Sequence, residues 1–541
     1  MPRRRNPSCL PAVCLLVAAF SARNAAAEPP AAIVYNLRAP RPESQTIEVE
    51  AAFPTDNQAE IEIMMPVWTP GYYRVEDYAG RVESLTARNP DGNPLEVAQP
   101  RPNRRHIRTA GAKTVHVAYR LSCKQRSVTT NWVDPALCVL NGAATFFTLA
   151  GSPPRPHEIH FELPASWKRA ATSLPAAPDG LPNHFRAADY DEIVDAPIVA
   201  GDPVVHEFNV AGCRHALVDL GDLGTWDGAR AARDIEQIVR ATRDFWGELP
   251  FKNYLFLNVF RPGGGGLEHK NCTLLTASAA RFENPGAYRG LLNFISHEYF
   301  HAFNVKRLRP VELGPFDYEN PPRTDGLWIS EGLTSYHAEL LVARAGLATL
   351  DDYLAELSAT IDQLQNSPGR LVQTLAQASL DVWNTSTSGV GLRGSKTAVS
   401  YYIKGAVAGF LLDAKIRRLT RGKKSLDDVM RLAYRRYSGA HGFTAAQFRA
   451  VAREVAGLDL DPWFHKVVES TDELDYTEAL DWYGLHFAVA SAPAPPATDP
   501  KAVPAEQPPQ TWKLAVRPDA TPTQTSNLRS LVGVRATGTE K

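Results

Sequence analysis

The strongest chemical signature in the chain is the pair His297 and His301, four positions apart in Leu291-Leu-Asn-Phe-Ile-Ser-His-Glu-Tyr-Phe-His-Ala-Phe303. On a helix, positions i and i+4 share a face, so both imidazoles can point at one metal ion. Glu298 follows the first histidine and can reach a water on that metal without being a ligand itself. Without a metal, the pair reduces to two histidines on an ordinary helix. A catalytic zinc takes three protein ligands and keeps one position open, so a third donor is needed. The best candidate is Glu331 in Asp325-Gly-Leu-Trp-Ile-Ser-Glu-Gly-Leu-Thr-Ser-Tyr336, where Trp328, Ile329 and Leu333 flank it. A lone carboxylate in that setting is costly unless a cation or hydrogen bonds meet it. A salt-bridged glutamate is the alternative, and Glu312, Glu319 and Glu339 compete for the ligand role. His337 and Glu339 read as surface or supporting residues.

Upstream, Phe260-Arg-Pro-Gly-Gly-Gly-Gly-Leu-Glu268 reads as a strand followed by a glycine turn and a second strand reaching Thr276. Glycines permit close approach of the backbone to a ligand. No Gly-Lys-Ser/Thr closes the run, so it is not a phosphate loop. A flexible hairpin is the plain alternative.

The elements that must hold these residues follow from periodicity. From about Ala32 to Gly201 the chain alternates in short segments such as Thr46-Ile-Glu-Val-Glu-Ala-Ala52, broken by turns such as Asn89-Pro-Asp-Gly-Asn93. This is the pattern of a β-sandwich-like region. After Gly224, Ala231, Ile235, Ile238, Val239 and Phe245 follow helical spacing, and Tyr254–Phe260 reads as a buried strand. Residues 290–345 carry two helices, and Asp351 to about Gly457 is helical almost throughout, with Ser425 as a helix cap. Ser491–Gln510 is rich in proline and alanine, the composition of an extended linker. The 31 residues after it are too few to fold alone, so they dock on the body or stay loose.

Composition narrows the function classes. The 541 residues carry 58 basic and 59 acidic side chains, and this near-zero net charge gives no support to a nucleic-acid role. Arg3–Arg5, the apolar stretch Val13–Phe20 and Ala25-Ala-Ala27 together read as a cleavable signal peptide. The stretch is too short to span a bilayer, which needs roughly 20 apolar residues. The mature chain is therefore expected to be exported, to the periplasm or the extracellular space, with no membrane span after cleavage. Cleavage after Ala27 leaves four cysteines. Of these, Cys123 and Cys138 could bridge a hairpin in an oxidising compartment, which their spacing alone does not decide.

Several of these blocks together resemble the glycyl aminopeptidase family of zinc metallopeptidases, within the thermolysin-like gluzincins. The resemblance takes in Pro66-Val-Trp-Thr-Pro-Gly-Tyr-Tyr73, Tyr190-Asp-Glu-Ile-Val-Asp-Ala-Pro197 and Gly266-Leu-Glu-His269. It continues through His297–Pro310, Leu327–Tyr336 and Tyr401-Tyr-Ile-Lys-Gly405. Together with the patterns above it gives a multidomain α+β protein: a signal peptide (1–27), an N-terminal β-sandwich-like domain (28–205), a catalytic domain (206–348) that the resemblance makes thermolysin-like and zinc-binding, a helical domain (349–487) and a Pro/Ala-rich linker with a short tail (488–541). It further implies His297, His301 and Glu331 as ligands of Zn2+, and Glu298 as the general base. Gly266 and Glu268 match a substrate-binding segment whose glutamate holds a free α-ammonium. Tyr402 matches an oxyanion-stabilising tyrosine, with Tyr401 as its competitor. The PDZ domain usual at the C-terminus of family members is expected to be absent, because no carboxylate-binding loop follows Phe487.

The expected activity is zinc-dependent hydrolysis of N-terminal residues, glycine or alanine by resemblance, from peptides with a free N-terminus. Zinc would polarise the scissile carbonyl and activate water, with Glu298 shuttling the proton. The alternatives are a zinc endopeptidase and an exported binding or scaffold protein with a silent site. The sequence leaves the oligomeric state open.

Overall fold

The computed structural model describes residues 30–384, 396–488 and 512–533. The expected signal peptide, with Cys9 and Cys14, and the Pro/Ala-rich run Ser491–Gln510 lie outside the described residues.

The alternating segments of the N-terminal region pair as their periodicity requires. Ile33–Arg38, Thr46–Pro54, Thr114–Ser122 and Val82–Arg88 lie side by side in a seven-stranded sheet. In Thr46–Pro54 the buried Ile47, Val49, Ala51 and Phe53 stand opposite Leu121, Tyr119, Val117 and Val115. A one-residue slip would turn that whole set to solvent, so burial fixes the register. A smaller sheet supplies the facing layer, where Ile61 of Glu60–Met64 opposes Ile107 of Arg104–Arg108 within the same core. Cys123 and Cys138 are both buried free thiols, so the structure contains no bridge between them.

The central region is a five-stranded mixed sheet. Its strands are β1 (Val204–Val210), β2 (Cys213–Gly221), β3 (Asn253–Phe260), β4 (Gly265–Glu268) and β5 (Cys272–Ala277), in spatial order β1-β2-β3-β5-β4. The strands β2, β3 and β5 are parallel and β4 runs antiparallel to β5 along the edge. The glycine run therefore does not join two neighbouring strands, as the hairpin alternative would require. It carries the chain past β5 to the sheet edge, where β4 borders the cleft described below.

Both faces of this sheet are covered, which explains why Tyr254–Phe260 in β3 reads as a buried strand. On one face, Leu217, Phe256 and Leu275 pack with Ile235, Ile238 and Val239 of helix α1 (Gly228–Trp246), and with Leu292, Ile295 and Tyr299 of α2 (Pro285–Phe300). On the other, Val218, Leu257 and Leu274 pack against Trp132, Val139 and Val199 of the N-terminal region.

The second helical segment opens with a π turn, Trp328–Gly332, that runs directly into α3 (Leu333–Arg344). The C-terminal region is helical, with α4 (Tyr401–Leu419) at its centre. Ser425 precedes a helix as expected, with its N–H donating to Asp428 at 3.0 Å. The tail docks on this body. Leu514–Val516 pairs antiparallel with Leu485–Phe487, and the short helix Pro522–Leu531 buries Leu528 and Leu531. Among the described residues no helix is long and apolar enough to cross a membrane.

Candidate metal centre and its cleft

Helix α2 ends with His297 one turn before His301, so both rings project from the same face. The π turn brings Glu331 to them. Glu331 Oε2 lies 3.5 Å from His297 Nε2 and 3.1 Å from His301 Nε2, and the two ring nitrogens are 2.9 Å apart. One donor atom from each residue falls within 4.8 Å of the others. Donors at 2.0–2.1 Å around a tetrahedral zinc lie about 3.3 Å apart, so the cluster has the dimensions of a three-ligand zinc site.

The surrounding hydrogen bonds suit a cation. His301 Nδ1 sits 2.9 Å from the carbonyl oxygen of Asn304. That contact is favourable only with the proton on Nδ1, which leaves the Nε2 lone pair of a neutral ring facing the Glu331 carboxylate. A positive charge must lie between them. In the metal-free protein a proton supplies it. Burial alone would lower His301, but Glu331 overcomes this and pushes the ring up to about 10. Burial would likewise raise Glu331, yet the His301 and His297 rings hold the carboxyl down at about 2. A divalent cation would take the place of that proton.

The ligand positions are braced from behind. The Asn304 side-chain amide donates to the carbonyls of Ile329 and Ser330 and to Thr334 Oγ1, at 2.9–3.2 Å, tying the His301 turn to the π turn. The π geometry itself is a feature often found at functional sites. Helix α4 crosses this turn at two glycines. A Cβ on Gly332 would lie 2.5 Å from the Gly405 Cα, so the two backbones touch. That contact sets Tyr401 and Tyr402 beside Glu331.

The cluster lines a cleft of about 670 Å³. Glu298 and Glu268 line it too, only 5% and 4% exposed, and each has a buried carboxylate oxygen without a hydrogen-bond partner among the described residues. Burial raises both carboxyls, Glu298 to about 8, with His301 partly opposing the rise in Glu298 and Lys306 in Glu268. Gly266 borders the same cleft, directly against the Glu298 carboxylate.

Two family models match the chain: the peptidase M61 N-terminal domain over residues 34–202 and the M61 glycyl aminopeptidase over residues 290–408. The chain belongs to the M61 glycyl aminopeptidase family. This M61 member is accordingly a peptide hydrolase. Among solved structures it is similar to an aminopeptidase N family protein from Idiomarina loihiensis, with 27% identity over 84% of this chain and 79% of that one, and a TM-score of 0.79. The fold is also shared with an M1 zinc metallopeptidase from Deinococcus radiodurans, at 15% identity over 82% of this chain and 94% of that one, with a TM-score of 0.50. Yeast LTA4 hydrolase in complex with bestatin shows the same fold likeness, at 15% identity over 82% and 68% of the two chains and a TM-score of 0.50. No curated protein sequence matches the chain.

Within this M61 peptidase the other acidic candidates fall elsewhere. Glu319 is held by Arg104 and Asn103, Glu312 is exposed, and Glu339 sits in the cleft wall outside the donor cluster. His337 is not a surface residue. It is fully buried, with Nδ1 2.7 Å from the Leu333 carbonyl and Nε2 3.4 Å from Asp427. Both Tyr401 and Tyr402 border the cleft. Tyr401 is 1% exposed, whereas Tyr402 is half-buried with its ring lying over His297, centroids 6.1 Å apart.

Three positions that brace the candidate site escaped the sequence reading. Asn304 is one. Tyr73, at the end of Pro66–Tyr73, donates its hydroxyl to Glu331 Oε1 at 3.5 Å, so the N-terminal region touches the outer oxygen of the metal-facing carboxylate. Its loop is anchored by Trp68 Nε1, which donates to the Asp317 carbonyl at 2.8 Å. Asp195 receives the Lys306 ammonium at 3.0 Å and the Lys270 backbone N–H at 2.7 Å, tying the turn after Glu268 to the segment after His301. All three sit inside blocks that the sequence marked as distinctive, but nothing local to each block reveals its distant partner.

Proposed function

We propose that this protein is an exported zinc aminopeptidase that removes small N-terminal residues, glycine or alanine, from peptides with a free N-terminus. The observation that carries the reading is the convergence of His297, His301 and Glu331 at donor spacing, in one cleft with two further buried carboxylates, Glu298 and Glu268. The donor set of two imidazoles and one carboxylate is that of catalytic zinc sites in which a fourth position stays open. Zinc bound there would supply Lewis-acid polarisation of the scissile carbonyl and a nucleophilic water at neutral pH.

The chain's own residues account for the remaining steps. Glu298 takes the proton of the attacking water and passes it to the leaving amine. Its carboxyl lines the cleft beside the metal cluster and has a buried oxygen with no hydrogen-bond partner among the described residues, which leaves it available to the attacking water. Tyr402 keeps its phenolic proton, because burial raises it well above the ordinary value, and it donates a hydrogen bond to the carbonyl oxygen as negative charge develops. Glu268 accepts the substrate's α-ammonium, an unpaired buried carboxylate being the natural partner for a desolvated cation. Gly266 leaves the room that the substrate backbone and Glu298 share. Preference for glycine rests on the family's description as glycyl aminopeptidases, and alanine is included as the next smallest side chain. Export rests on the basic, apolar and small-residue pattern of residues 3–27. The proposed domain limits near residues 205, 348 and 487 are supported by the change from strand-rich to mixed to helical structure along the chain.

Metal analysis of the purified protein, paired with hydrolysis assays on matched free and N-acetylated peptides, tests the whole reading. About one zinc per chain and turnover confined to free-amine peptides is the expected result. Equal turnover of blocked peptides would make it an endopeptidase, and absence of both metal and turnover would leave only a binding protein.

A further inference from the structure

Four carboxylates line the cleft among the described residues, and the reading above gives tasks to three of them, Glu331, Glu298 and Glu268. The fourth is Glu339. We infer that Glu339 selects peptides carrying a lysine or arginine at one of the two residues that follow the cleaved bond.

Its place follows from how α2 and α3 pass each other. Ser335 Oγ lies 3.4 Å from His297 Nδ1, and Ser296 Oγ donates to the Ala338 carbonyl at 3.0 Å. The helices therefore run in opposite directions, and one turn back from His297 stands opposite one turn on from Ser335. Those positions are Asn293 and Glu339, and both line the cleft. From Trp328 to Ala343 only Ser335 and Glu339 escape full burial, so this is the face of α3 that opens on the cleft. Four helical residues put Glu339 about 6 Å beyond Ser335 along the axis. An extended peptide advances about 3.3 Å per residue, so the first or second residue past the metal centre draws level with Glu339. The flexible stem of a lysine or arginine then carries its charge toward the helix wall.

The substrate amine belongs at the other end. Gly266 of β4 meets Phe294 and Glu298, whereas Glu268, two residues on, meets Gly71 and feels the charges of Lys306 and His301. Glu268 thus stands toward the His301 end of α2 and Glu339 toward the Asn293 end, with the metal ligands between them. The inference rests on the aminopeptidase reading here: a chain whose ammonium sits on Glu268 crosses the metal centre and continues toward Glu339.

No cation of the protein acts on Glu339 among the described residues. Burial, reinforced by Glu356 on the helix Leu350–Gln365, pushes its carboxyl up to about 8. The one basic side chain of the described lining, Arg126, lies over the Trp132 ring, 5.5 Å from its centroid. A basic substrate side chain gains an ion pair at Glu339, an apolar one leaves the carboxylate uncompensated, and an acidic one meets two like charges.

The test uses the full-length protein and amidated tripeptides that begin with glycine and carry lysine, norleucine or glutamate at the second or third residue, with alanine at the other. Turnover is measured on the zinc-loaded protein and affinity by calorimetry on the metal-stripped one. At one of the two positions lysine is expected to exceed norleucine about tenfold in kcat/KM and in affinity, in line with a charge-assisted contact, and glutamate to fall below both. Glu339→Gln is expected to bring the lysine to norleucine ratio down to about one, and Glu339→Lys to turn the preference toward glutamate. Equal turnover and affinity of lysine and norleucine peptides in the parent would overturn the inference without any variant. So would a full lysine preference in Glu339→Gln of unchanged melting temperature. Lysine-selective binding through Glu339 in a protein that cleaves no free-amine peptide would keep this contact and discard the aminopeptidase. Cleavage of free-amine peptides without the preference would discard only the role of Glu339.

Discussion

Gly266 lies against the Glu298 carboxylate so closely that a Cβ built on it would come within 2.5 Å of Glu298 Oε1. Edge strand β4 therefore does two things. Its end carries Glu268 into the cleft, and its second residue leaves the space in which Glu298, the proposed proton carrier, sits. Gly266→Ala is expected to displace the Glu298 carboxylate without disturbing the metal ligands. A displacement of about 1 Å at a catalytic group can cost ~100-fold in rate. Turnover should fall by about that factor while bound zinc and melting temperature stay near the parent values. Unchanged turnover in a folded, metal-loaded variant would show that Glu298 needs no such space.

Glu298→Gln keeps the shape of the side chain and removes its basicity. General-base catalysis typically contributes 10²–10⁴-fold, so kcat should drop by roughly that range with peptide affinity little changed. Single-turnover and binding measurements on the same variant separate the two effects. Full hydrolysis by the purified variant would remove the assignment.

Glu268→Ala is expected to act on substrate choice. Hydrolysis of free-amine peptides should fall at least ~10-fold, in line with the loss of a charge-assisted contact of about 1.5–3 kcal/mol, while N-acetylated peptides are little affected. A ratio of free to blocked turnover equal to that of the parent would rule out an ammonium contact at this residue.

Chelation and ligand replacement should have matching effects. Removing the metal should abolish hydrolysis, and zinc should restore it. Glu331→Gln should lower zinc stoichiometry measured by elemental analysis and, without the carboxylate, release the proton that His301 holds in the metal-free protein. Full zinc content in that variant would require a different third ligand.

The metal-free protein should carry a stability penalty that depends on pH. Glu298 has an unfolded value near 4.5 and is raised to about 8 by burial. Between those values the unfolded chain binds fewer protons than the folded one at this site, so this contribution to stability falls as pH rises through the window. Glu298→Gln removes the titration. At pH above 8 the metal-free variant should therefore melt higher than the metal-free parent, by an amount on the order of a few kcal/mol, and the difference should vanish below about pH 4.5. Parallel melting curves of the two proteins across that range would contradict the buried, raised carboxyl.

Much of this arrangement could be read from local pattern. The i, i+4 spacing of His297 and His301 puts two rings on one helical face whatever the rest of the chain does. The apolar surroundings of Glu331 signalled a carboxylate in need of a cation. The alternation of Ile47, Val49, Ala51 and Phe53 announced a half-buried strand. Other readings failed because their deciding contacts are distant in sequence. His337 read as a surface or supporting residue, and helix packing excludes the surface alternative by burying it with Asp427 3.4 Å away. The hairpin alternative for the glycine run fails, because β5 inserts between β3 and β4 and nothing in the local sequence says so.

The sequence by itself determined which side chains are available for chemistry, and it fixed the one pair of ligands that a single helix can align. Only the tertiary structure decided that Glu331 stands at donor spacing beside the two histidines, that Tyr73 from the N-terminal region touches its outer oxygen, and that the Gly332–Gly405 crossing sets Tyr402 over His297. The physical reason is one of range. Backbone periodicity acts over a few residues and is written into the local sequence. Convergence of a carboxylate, two imidazoles and a tyrosine depends on how separate elements pack, and that is set by the burial of residues far from any of them.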